Sequence, residues 1–327
     1  HMLDDDPDVA AVVLVCAGRT FIAGADVSEF DKPPQPPHLP DVISSIEMAA
    51  KPWIAAIHGS ALGGGFEVAL GCRFRLAAAE ASVGLPEVTL GIVPGAGGTV
   101  RTPRLAGIEA AVELVTTGKP VRAARAHELG LIDRIVAGDL RTGAIAFAEA
   151  LPAELPAPLS LRPAPTVEPS FWVEAEAAIA KRAKGEAAPP RALACLREAC
   201  EADFAPASQL ERATFLELRA SEQAAALRHV FFAERAAPRP STLSGVEPRP
   251  LSTAAVIGGG TMGAGIAAAL RDAGLPVVLI ERDEAAVERG LANLKSIFDG
   301  AVKRGRLSES AAAARLAGVT GSTDYAA

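Results

Sequence analysis

The stretch 58–67, His-Gly-Ser-Ala-Leu-Gly-Gly-Gly-Phe-Glu, places three adjacent glycines between two apolar segments. The run Trp53–Ile57 before it predicts a buried strand, and residues 66–70 after it predict a helix. Glycines at a strand-to-helix junction let a ligand approach the backbone, and the first N–H groups of the helix lack partners there. Glu67 follows Gly64 by three residues, so both lie on one face of the first turn. A carboxylate beside an N–H that can bind an oxyanion is half of an active site.

Two further segments could supply a second N–H donor and a second carboxyl group. Residues 21–26, Phe-Ile-Ala-Gly-Ala-Asp, end an apolar strand in a turn that could present the Ala25 N–H. Downstream, Glu87 follows Gly-Leu-Pro and precedes another glycine-rich turn at residues 94–98. Taken alone, the local sequence predicts that Glu67 is a solvated helix residue and that Glu87 is a loop carboxylate. Their occurrence together with the two glycine turns favours catalysis.

Composition limits the functions open to this chain. Its 327 residues carry a net charge of −7 without a run of Lys or Arg, which argues against nucleic acid and membrane surfaces as partners. No stretch approaches a membrane-spanning length of apolar residues and no signal peptide is visible, so we expect a cytoplasmic protein. The cysteines form no C-x-x-C motif, and we expect reduced thiols with neither a disulfide nor a metal site at Cys16, Cys72, Cys195 and Cys200.

Strand and helix signals alternate along residues 1–151 and predict an α/β architecture. Strands are expected at 9–16, 53–57, 74–79, 82–84 and 131–137, and helices at 41–50, 66–70, 107–118, 122–129 and 139–151. The run 9–16 is continuously apolar, which predicts a buried strand. The proline-rich loop after Asp26 would lie on the surface and could cover a pocket; its prolines are Pro33, Pro34, Pro36, Pro37 and Pro40.

The region 171–235 predicts packing helices without chemistry of their own, at 171–184, 190–202 and 208–235. The last helix would be long and amphipathic, with a buried stripe formed by Leu210, Phe215, Leu218, Leu227 and Phe231. Proline-rich stretches flank this region at 152–169 and 238–250. They predict a linker on either side of it, a joint between structural units.

A dinucleotide-binding fingerprint follows the second joint. An apolar strand leads into Gly258-x-Gly260-x-x-Gly263 and a helix, and a second strand ends at Glu281. Gly258 would make the tight turn, Gly260 would let the pyrophosphate approach, and Gly263 would allow close helix–strand packing. Glu281 would hydrogen-bond the adenosine ribose, which favours NAD over its phosphorylated form.

These segments resemble two known families. The blocks FIAGAD (21–26), HGSALGGGFE (58–67) and GLPEVTLGIVPGAGGT (84–99) look like the signature blocks of the crotonase (enoyl-CoA hydratase/isomerase) superfamily, in its order and spacing. The wording VIGGGTMGAGI at 256–266 resembles the 3-hydroxyacyl-CoA dehydrogenase family, and the two together resemble the bifunctional β-oxidation enzymes. The resemblance implies a crotonase-like ββα spiral at 1–160 without its first elements, a helical linker region at 170–237 and a partial Rossmann NAD-binding domain at 251–327.

The resemblance also implies a reaction, the hydration of trans-2-enoyl-CoA to 3-hydroxyacyl-CoA. The N–H groups of Ala25 and Gly64 would hold the enolate oxygen, Glu67 would activate water and Glu87 would protonate C2. The acyl-CoA is the substrate and hydration needs no cofactor, whereas NAD is possible at the Rossmann part. Two alternatives stay open: Δ3–Δ2-enoyl-CoA isomerisation, and a fragment that binds CoA or nucleotide without catalysis. Crotonase domains tend to trimerise, so a homo-oligomer is possible.

Parts of the family pattern are expected to be missing from this sequence. A crotonase domain normally has a strand, its hairpin partner and a helix before a strand like 9–16. The catalytic His–Glu pair of the dehydrogenase lies beyond residue 327, and none of the five histidines follows the fingerprint. We therefore expect no dehydrogenase activity from this chain.

Overall fold

The computed structural model describes residues 2–30, 32, 35–238, 240–247 and 249–326. The chain divides into two compact units, His1–Pro240 and Ser241–Ala327. Within the proline-rich loop, Asp31, Pro33 and Pro34 lie outside the described residues.

Short strands and helices alternate through the first unit, which confirms the α/β prediction. Its strands are β1 (Val12–Val15), β2 (Trp53–Ile57), β3 (Ser60–Leu62), β4 (Phe74–Ala78), β5 (Ser82–Gly84), β6 (Val121–Arg122) and β7 (Arg134–Val136). Its helices are α1 (Met2–Asp5), α2 (Leu39–Glu47), α3 (Gly64–Gly71), α4 (Gly98–Ala106), α5 (Ile108–Thr117), α6 (Ala123–Glu128), α7 (Leu140–Glu149), α8 (Pro169–Ala183), α9 (Ala188–Glu201), α10 (Phe204–Arg219) and α11 (Glu222–Ala236). Short 3-10 helices lie at Val27–Glu29, Pro86–Leu90 and Leu159–Leu161.

The main sheet of this unit is parallel, with the strand order β1-β2-β4-β7. Strand β2 has the predicted bounds and is almost wholly buried, as a continuous apolar run covered on both faces requires. Strand β1 corrects the prediction for residues 9–16, since it is shorter and only partly buried, with Val15 40% exposed. The reason is its place at the edge of the sheet, which an apolar run alone does not reveal.

A second, small sheet brings the three signature blocks together. Strand β3 pairs in parallel with β5, and β5 pairs antiparallel with β6. Ile22 adds a parallel bridge to Ala61 in β3, so the block 21–26 joins the edge of this sheet. The carboxyl ends of parallel strands meet at one edge of a sheet, and the segments with Ala25, Gly64 and Glu87 start from that edge. This topology places the predicted site residues side by side.

Helices α8–α11 share the hydrophobic core of the first unit. The prediction of a single helix over 208–235 is wrong, because α10 ends at Arg219 and α11 begins at Glu222. Ser221 caps α11 by accepting a hydrogen bond from the Ala224 N–H, which ends one helix and starts the next. The predicted stripe is divided accordingly: Leu218 is buried, whereas Leu210 is 39% exposed.

The second unit is a parallel three-stranded sheet with the order β10-β9-β8. Its elements are β8 (Ala254–Ile257), α12 (Thr261–Asp272), β9 (Val277–Ile280), α13 (Glu284–Lys303), α14 (Glu309–Ala317) and β10 (Val319–Ser322). Val256, Leu279, Leu294 and Phe298 form part of its core. The strand–loop–helix order predicted for the fingerprint is present, with α12 beginning directly after Gly260.

Candidate active site

A cavity of about 460 Å³ opens in the first unit beside the glycine-rich turn. Its volume falls in the range of small-molecule binding sites. Four residues that the sequence singled out lie together in its wall: Ala25, Gly64, Glu67 and Glu87. The described part of the proline-rich loop contributes Gln35, Pro37 and His38, so this loop does border a pocket.

Glu67 stands on α3 and is buried, with 3% of its surface exposed. Its Oε1 accepts hydrogen bonds from the N–H groups of Ala96 (2.8 Å) and Gly98 (2.9 Å). A Cβ at Gly98 would lie 3.0 Å from the same oxygen, so glycine permits this close approach. Oε2 takes part in neither bond and lies 4.0 Å from the place of a Cβ on Gly64, at the cavity wall. One oxygen of Glu67 is thus fixed and the other faces the cavity.

The N–H groups of Ala25 and Gly64 lie at the same end of the cavity. A Cβ on Gly64 would stand 4.0 Å from the Ala25 nitrogen. Gly64 is the first residue of α3, where backbone N–H groups have no partner inside the helix. Among the described residues, no backbone acceptor is bonded to either N–H. Two N–H groups without a backbone partner in the described part of the chain, one of them at the start of α3, suit a negatively charged oxygen.

Glu87 stands on the 3-10 helix Pro86–Leu90 and is 8% exposed. Its Oε1 lies 2.9 Å from the place of a Cβ on Gly63, whose φ of +53° also favours glycine. Its Oε2 is buried and has no hydrogen-bond partner among the residues that the structure describes. A buried carboxyl oxygen without a donor favours the neutral form of its group.

The two carboxyl groups differ in their electrostatic surroundings. Burial raises the pKa of Glu67, but its two backbone hydrogen bonds and the charges of Arg101 and Arg212 oppose that rise. Burial also raises the pKa of Glu87, and the negative charge of Glu67 adds to it, holding this pKa well above its ordinary value. Glu67 is therefore the group that ionises and Glu87 the group that keeps its proton, which gives a base and an acid in one cavity.

Glu211, on α10, is a third buried carboxyl group at this site and was not foreseen. It is 1% exposed and accepts hydrogen bonds from Gly97 and Thr99 at the glycine turn. Burial raises the pKa of Glu211 to about 8, and the charge of Glu67 contributes to the rise. Helix α10, for which packing alone was expected, places this side chain against the glycine turn that also bonds to Glu67.

One sequence signal could have found Glu211. The buried residues of α10 recur at helical spacing around it, at positions 207, 214 and 218. A glutamate within the apolar stripe of a helix is seldom buried unless it has partners. Such an acid therefore predicts donors on a neighbouring segment, although the sequence does not say which.

Helices α10 and α11 also bring Arg212, Arg219 and Arg235 to the cavity wall. Arg219 donates from Nε to the Phe30 carbonyl (2.7 Å) and so ties the loop after the first signature block. The Arg235 guanidinium stacks 3.6 Å from the centre of the Phe231 ring. Guanidinium groups in the cavity wall can attract an anionic ligand even on a chain with a net charge of −7.

The fingerprint loop of the second unit has the geometry of a dinucleotide site. Gly258 has a φ of +90°, and a Cβ at Gly263 would lie 1.7 Å from the Gly258 carbonyl oxygen, so both positions require glycine. A Cβ at Gly260 would meet nothing within 4 Å, which leaves room before the N-terminus of α12. Glu281 accepts a hydrogen bond from the Gly259 N–H (2.7 Å) at the end of β9. Its contact with a ribose stays a prediction.

Two segments of the chain match known families. Residues 1–160 match the family described as enoyl-CoA hydratase/isomerase. Residues 253–327 match the family described as 3-hydroxyacyl-CoA dehydrogenase, NAD binding domain. The resemblance inferred from the three blocks and the fingerprint is confirmed. Glu211 lies between the two matched segments.

Relatives match across both segments. The chain is 40% identical over 319 residues to the peroxisomal bifunctional enzyme of Danio rerio, covering 93% of this chain and 44% of that protein. It is 32% identical over 344 residues to the fatty acid oxidation complex subunit alpha of Shewanella sp. (strain W3-18-1), covering 99% and 48%. The chain therefore spans about half the length of these curated relatives. Among solved structures, it is similar to carnitinyl-CoA hydratase from Mycobacterium avium, with 31% identity, a TM-score of 0.50, and coverage of 71% of this chain and 82% of that one.

Three further properties hold for the described part of the chain. Its helices are too short or too polar to cross a membrane. Its His, Cys, Asp and Glu side chains form no group of three or more that could hold a metal ion. Its four cysteines are free thiols.

Proposed function

The chain belongs to the enoyl-CoA hydratase/isomerase family, and on that premise we propose that its first unit hydrates trans-2-enoyl-CoA to 3-hydroxyacyl-CoA in fatty acid β-oxidation. One observation carries the proposal: Glu67 and Glu87 are buried in one cavity wall in unlike electrostatic surroundings. Hydration needs a base for the attacking water and an acid for C2 of the substrate. The pair offers one of each.

The proposed reaction begins when water attacks C3 and negative charge develops on the thioester oxygen. The N–H groups of Ala25 and Gly64 would stabilise that oxygen, and losing one such donor typically costs about 3–4 kcal/mol in the barrier. Glu67 would take the water proton on Oε2, since Oε1 is engaged by two backbone N–H groups. Glu87 would give its proton to C2. The proton taken by Glu67 must then pass to Glu87 before the next turnover.

An acyl-CoA substrate is consistent with the charge at the cavity. Coenzyme A carries phosphate groups, for which guanidinium groups are favourable partners. Arg212 and Arg235 lie in the cavity wall and can meet an anion there. Arg219 would act indirectly, because its guanidinium holds the loop at Phe30.

Double-bond isomerisation is the competing activity, since it needs only one carboxyl group to move a proton. Glu87, with one oxygen free of partners among the described residues, could do this alone. We expect Glu67→Gln to abolish hydration of crotonyl-CoA, followed as loss of enoyl-thioester absorbance, while sparing isomerisation of a 3-enoyl-CoA. Equal loss of both activities would refute these roles. Glu113→Gln changes an exposed side chain and should leave both activities unchanged.

For the second unit, we propose that Gly258, Gly260, Gly263 and Glu281 bind NAD. The family match and the open space at Gly260 support this. When bound, NAD supplies a hydride acceptor for oxidation of a 3-hydroxyacyl-CoA. Calorimetric titration with NAD tests binding without requiring turnover, and Gly260→Val should weaken it by filling the space for the pyrophosphate. Equal heats from both proteins would contradict the assignment.

A cytoplasmic location and assembly into a homo-oligomer are also proposals. The free thiols favour a reducing compartment. The Danio rerio relative is named as a peroxisomal enzyme, so cell fractionation has to distinguish the two locations. The mass of the purified chain in solution, measured by light scattering, tests assembly.

A further inference from the structure

The glycine turn before α4 is held from two sides by carboxyl groups. Glu67 Oε1 accepts hydrogen bonds from the backbone nitrogens of Ala96 (2.8 Å) and Gly98 (2.9 Å). Glu211 accepts hydrogen bonds from the backbone nitrogens of Gly97 (2.6 Å) and Thr99 (2.7 Å) and from the Thr99 hydroxyl (2.5 Å). Four successive N–H groups are therefore shared alternately between the two side chains. Any displacement of one carboxyl group moves the donors of the other.

Packing fixes α10 against this turn, so Glu211 is not an adaptable contact. A Cβ at Gly95 would lie 2.5 Å from Cγ of Phe215, one helical turn beyond Glu211, which shows how closely α10 approaches the turn. Arg212 donates to the Gly95 carbonyl (3.3 Å), which adds a polar contact to the same approach. Arg101 donates to the Ala96 carbonyl (3.1 Å) from within α4. The turn is bonded through both its N–H and its carbonyl groups.

We propose that Glu211 is a positioning residue for the hydration reaction, an inference that rests on the function proposed above. By holding Gly97 and Thr99, it keeps the Ala96 and Gly98 N–H groups where they fix Oε1 of Glu67 and leave Oε2 to the attacking water. Glu211 lies outside the matched segment 1–160, so the helical region supplies a part of the site that the matched segment lacks.

The charges that face Glu211 come from several packed elements. Glu67 on α3 and Glu87 on the 3-10 helix Pro86–Leu90 are the carboxyl groups coupled to it by charge. Burial raises the pKa of Cys195 on α9, and the charge of Glu211 adds to that rise. Arg212 follows Glu211 directly on α10. A charge on Glu211 raises the pKa of Glu87. Glu211 carries that charge only above its own pKa of about 8. Replacing it by a neutral amide should therefore move an alkaline fall in activity above that pH to lower pH, which a purely structural contact would not do.

The test is Glu211→Gln, an isosteric change that places an amide N–H₂ against a backbone N–H. We expect kcat for crotonyl-CoA to fall on the order of ten- to hundredfold while KM stays within about twofold, because the base is misplaced and substrate contacts are kept. Glu217→Gln is the matched control, since Glu217 is an exposed acid on the same helix. It should change neither kcat nor the pH profile.

Unchanged kcat and an unchanged alkaline limb in Glu211→Gln would overturn the proposal while leaving the proposed function intact. A wild-type protein that melts cooperatively but does not hydrate crotonyl-CoA would overturn both. If the glutamine variant does not fold, Thr99→Val decides, since it removes only the hydroxyl donor to Glu211. A smaller fall in kcat at constant KM supports the proposal there, and no fall overturns it.

Discussion

Replacing Glu87 by Gln should separate activity from stability. Glutamine keeps the shape and neutrality of the protonated acid but cannot give a proton to C2, so we expect kcat to fall by about 10²–10⁴. This corresponds to about 3–5 kcal/mol in the activation barrier. Substrate affinity should change little, because the change is isosteric and Oε2 has no partner among the described residues to lose. Hydration of crotonyl-CoA, followed by absorbance, measures the loss.

The same variant should be more stable than the wild type near neutral pH. The pKa of Glu87 is raised in the folded state, so stability is fully present below the unfolded pKa near 4.3 and is lost as pH rises towards the folded value. Each unit of the rise amounts to about 1.4 kcal/mol, and at pH 7 the penalty from this group is at most about 4 kcal/mol.

Urea unfolding at several pH values from 4 to 8 should show the advantage of the variant growing with pH. Glu80→Gln, at an exposed position, is the control and should show no such trend. Turnover within a few-fold of wild type would refute the role of Glu87 as the acid. A variant less stable than wild type at every pH would refute the electrostatic reasoning.

The remaining predictions concern one ion pair, one donor and one cap. Arg101→Met should cost about 3–5 kcal/mol in a urea melt, because it leaves Glu47 buried without the partner that lies at 2.7 Å; a loss below about 1 kcal/mol would contradict this. Gly64→Ala places a methyl group 2.8 Å from Leu39 Cδ2 at the oxyanion donors, and should lower kcat by about 10² or more without loss of cooperative melting. Ser221→Ala removes the cap of α11 and should lower stability by about 1 kcal/mol; an unchanged midpoint would contradict it.

The parts of the fold that sequence could predict are those with local causes. Strand β2 has its predicted bounds because a run of apolar residues stops at a turn on either side. Helix α7 lies within the predicted range 139–151, and Asp139 caps it by accepting a hydrogen bond from the Thr142 N–H (2.8 Å). Strand β6 has two residues and was not foreseen, since two residues carry no periodicity. The burial of β1 was overestimated because position within a sheet is set by pairing along the whole chain.

The residues of the candidate site likewise include some that the sequence could single out and one that it could not. Ala25, Gly64, Glu67 and Glu87 could be singled out because each lies in a compact block with its own turn chemistry. Glu211 could not be assigned, since its hydrogen bond to Gly97 joins residues 114 positions apart. The sequence of α10 does not indicate which N–H groups will donate hydrogen bonds to an acid on it. Contacts of this range follow only from the packing of the helical region onto the unit.

Three buried carboxyl groups around one turn cannot all be charged, and their surroundings decide where the charge rests. Burial raises the pKa of Glu67 as well, but two backbone donors and the charges of two arginines limit that rise, so it is the first of the three to ionise. Glu87 and Glu211 have raised pKa values and keep their protons, the latter up to a pH of about 8. Each raised pKa makes stability fall as pH climbs above about 4.3, whereas hydration needs Glu67 ionised. Activity therefore appears over the same pH range in which the site weakens the fold, a stability–activity conflict set by the carboxyl groups themselves.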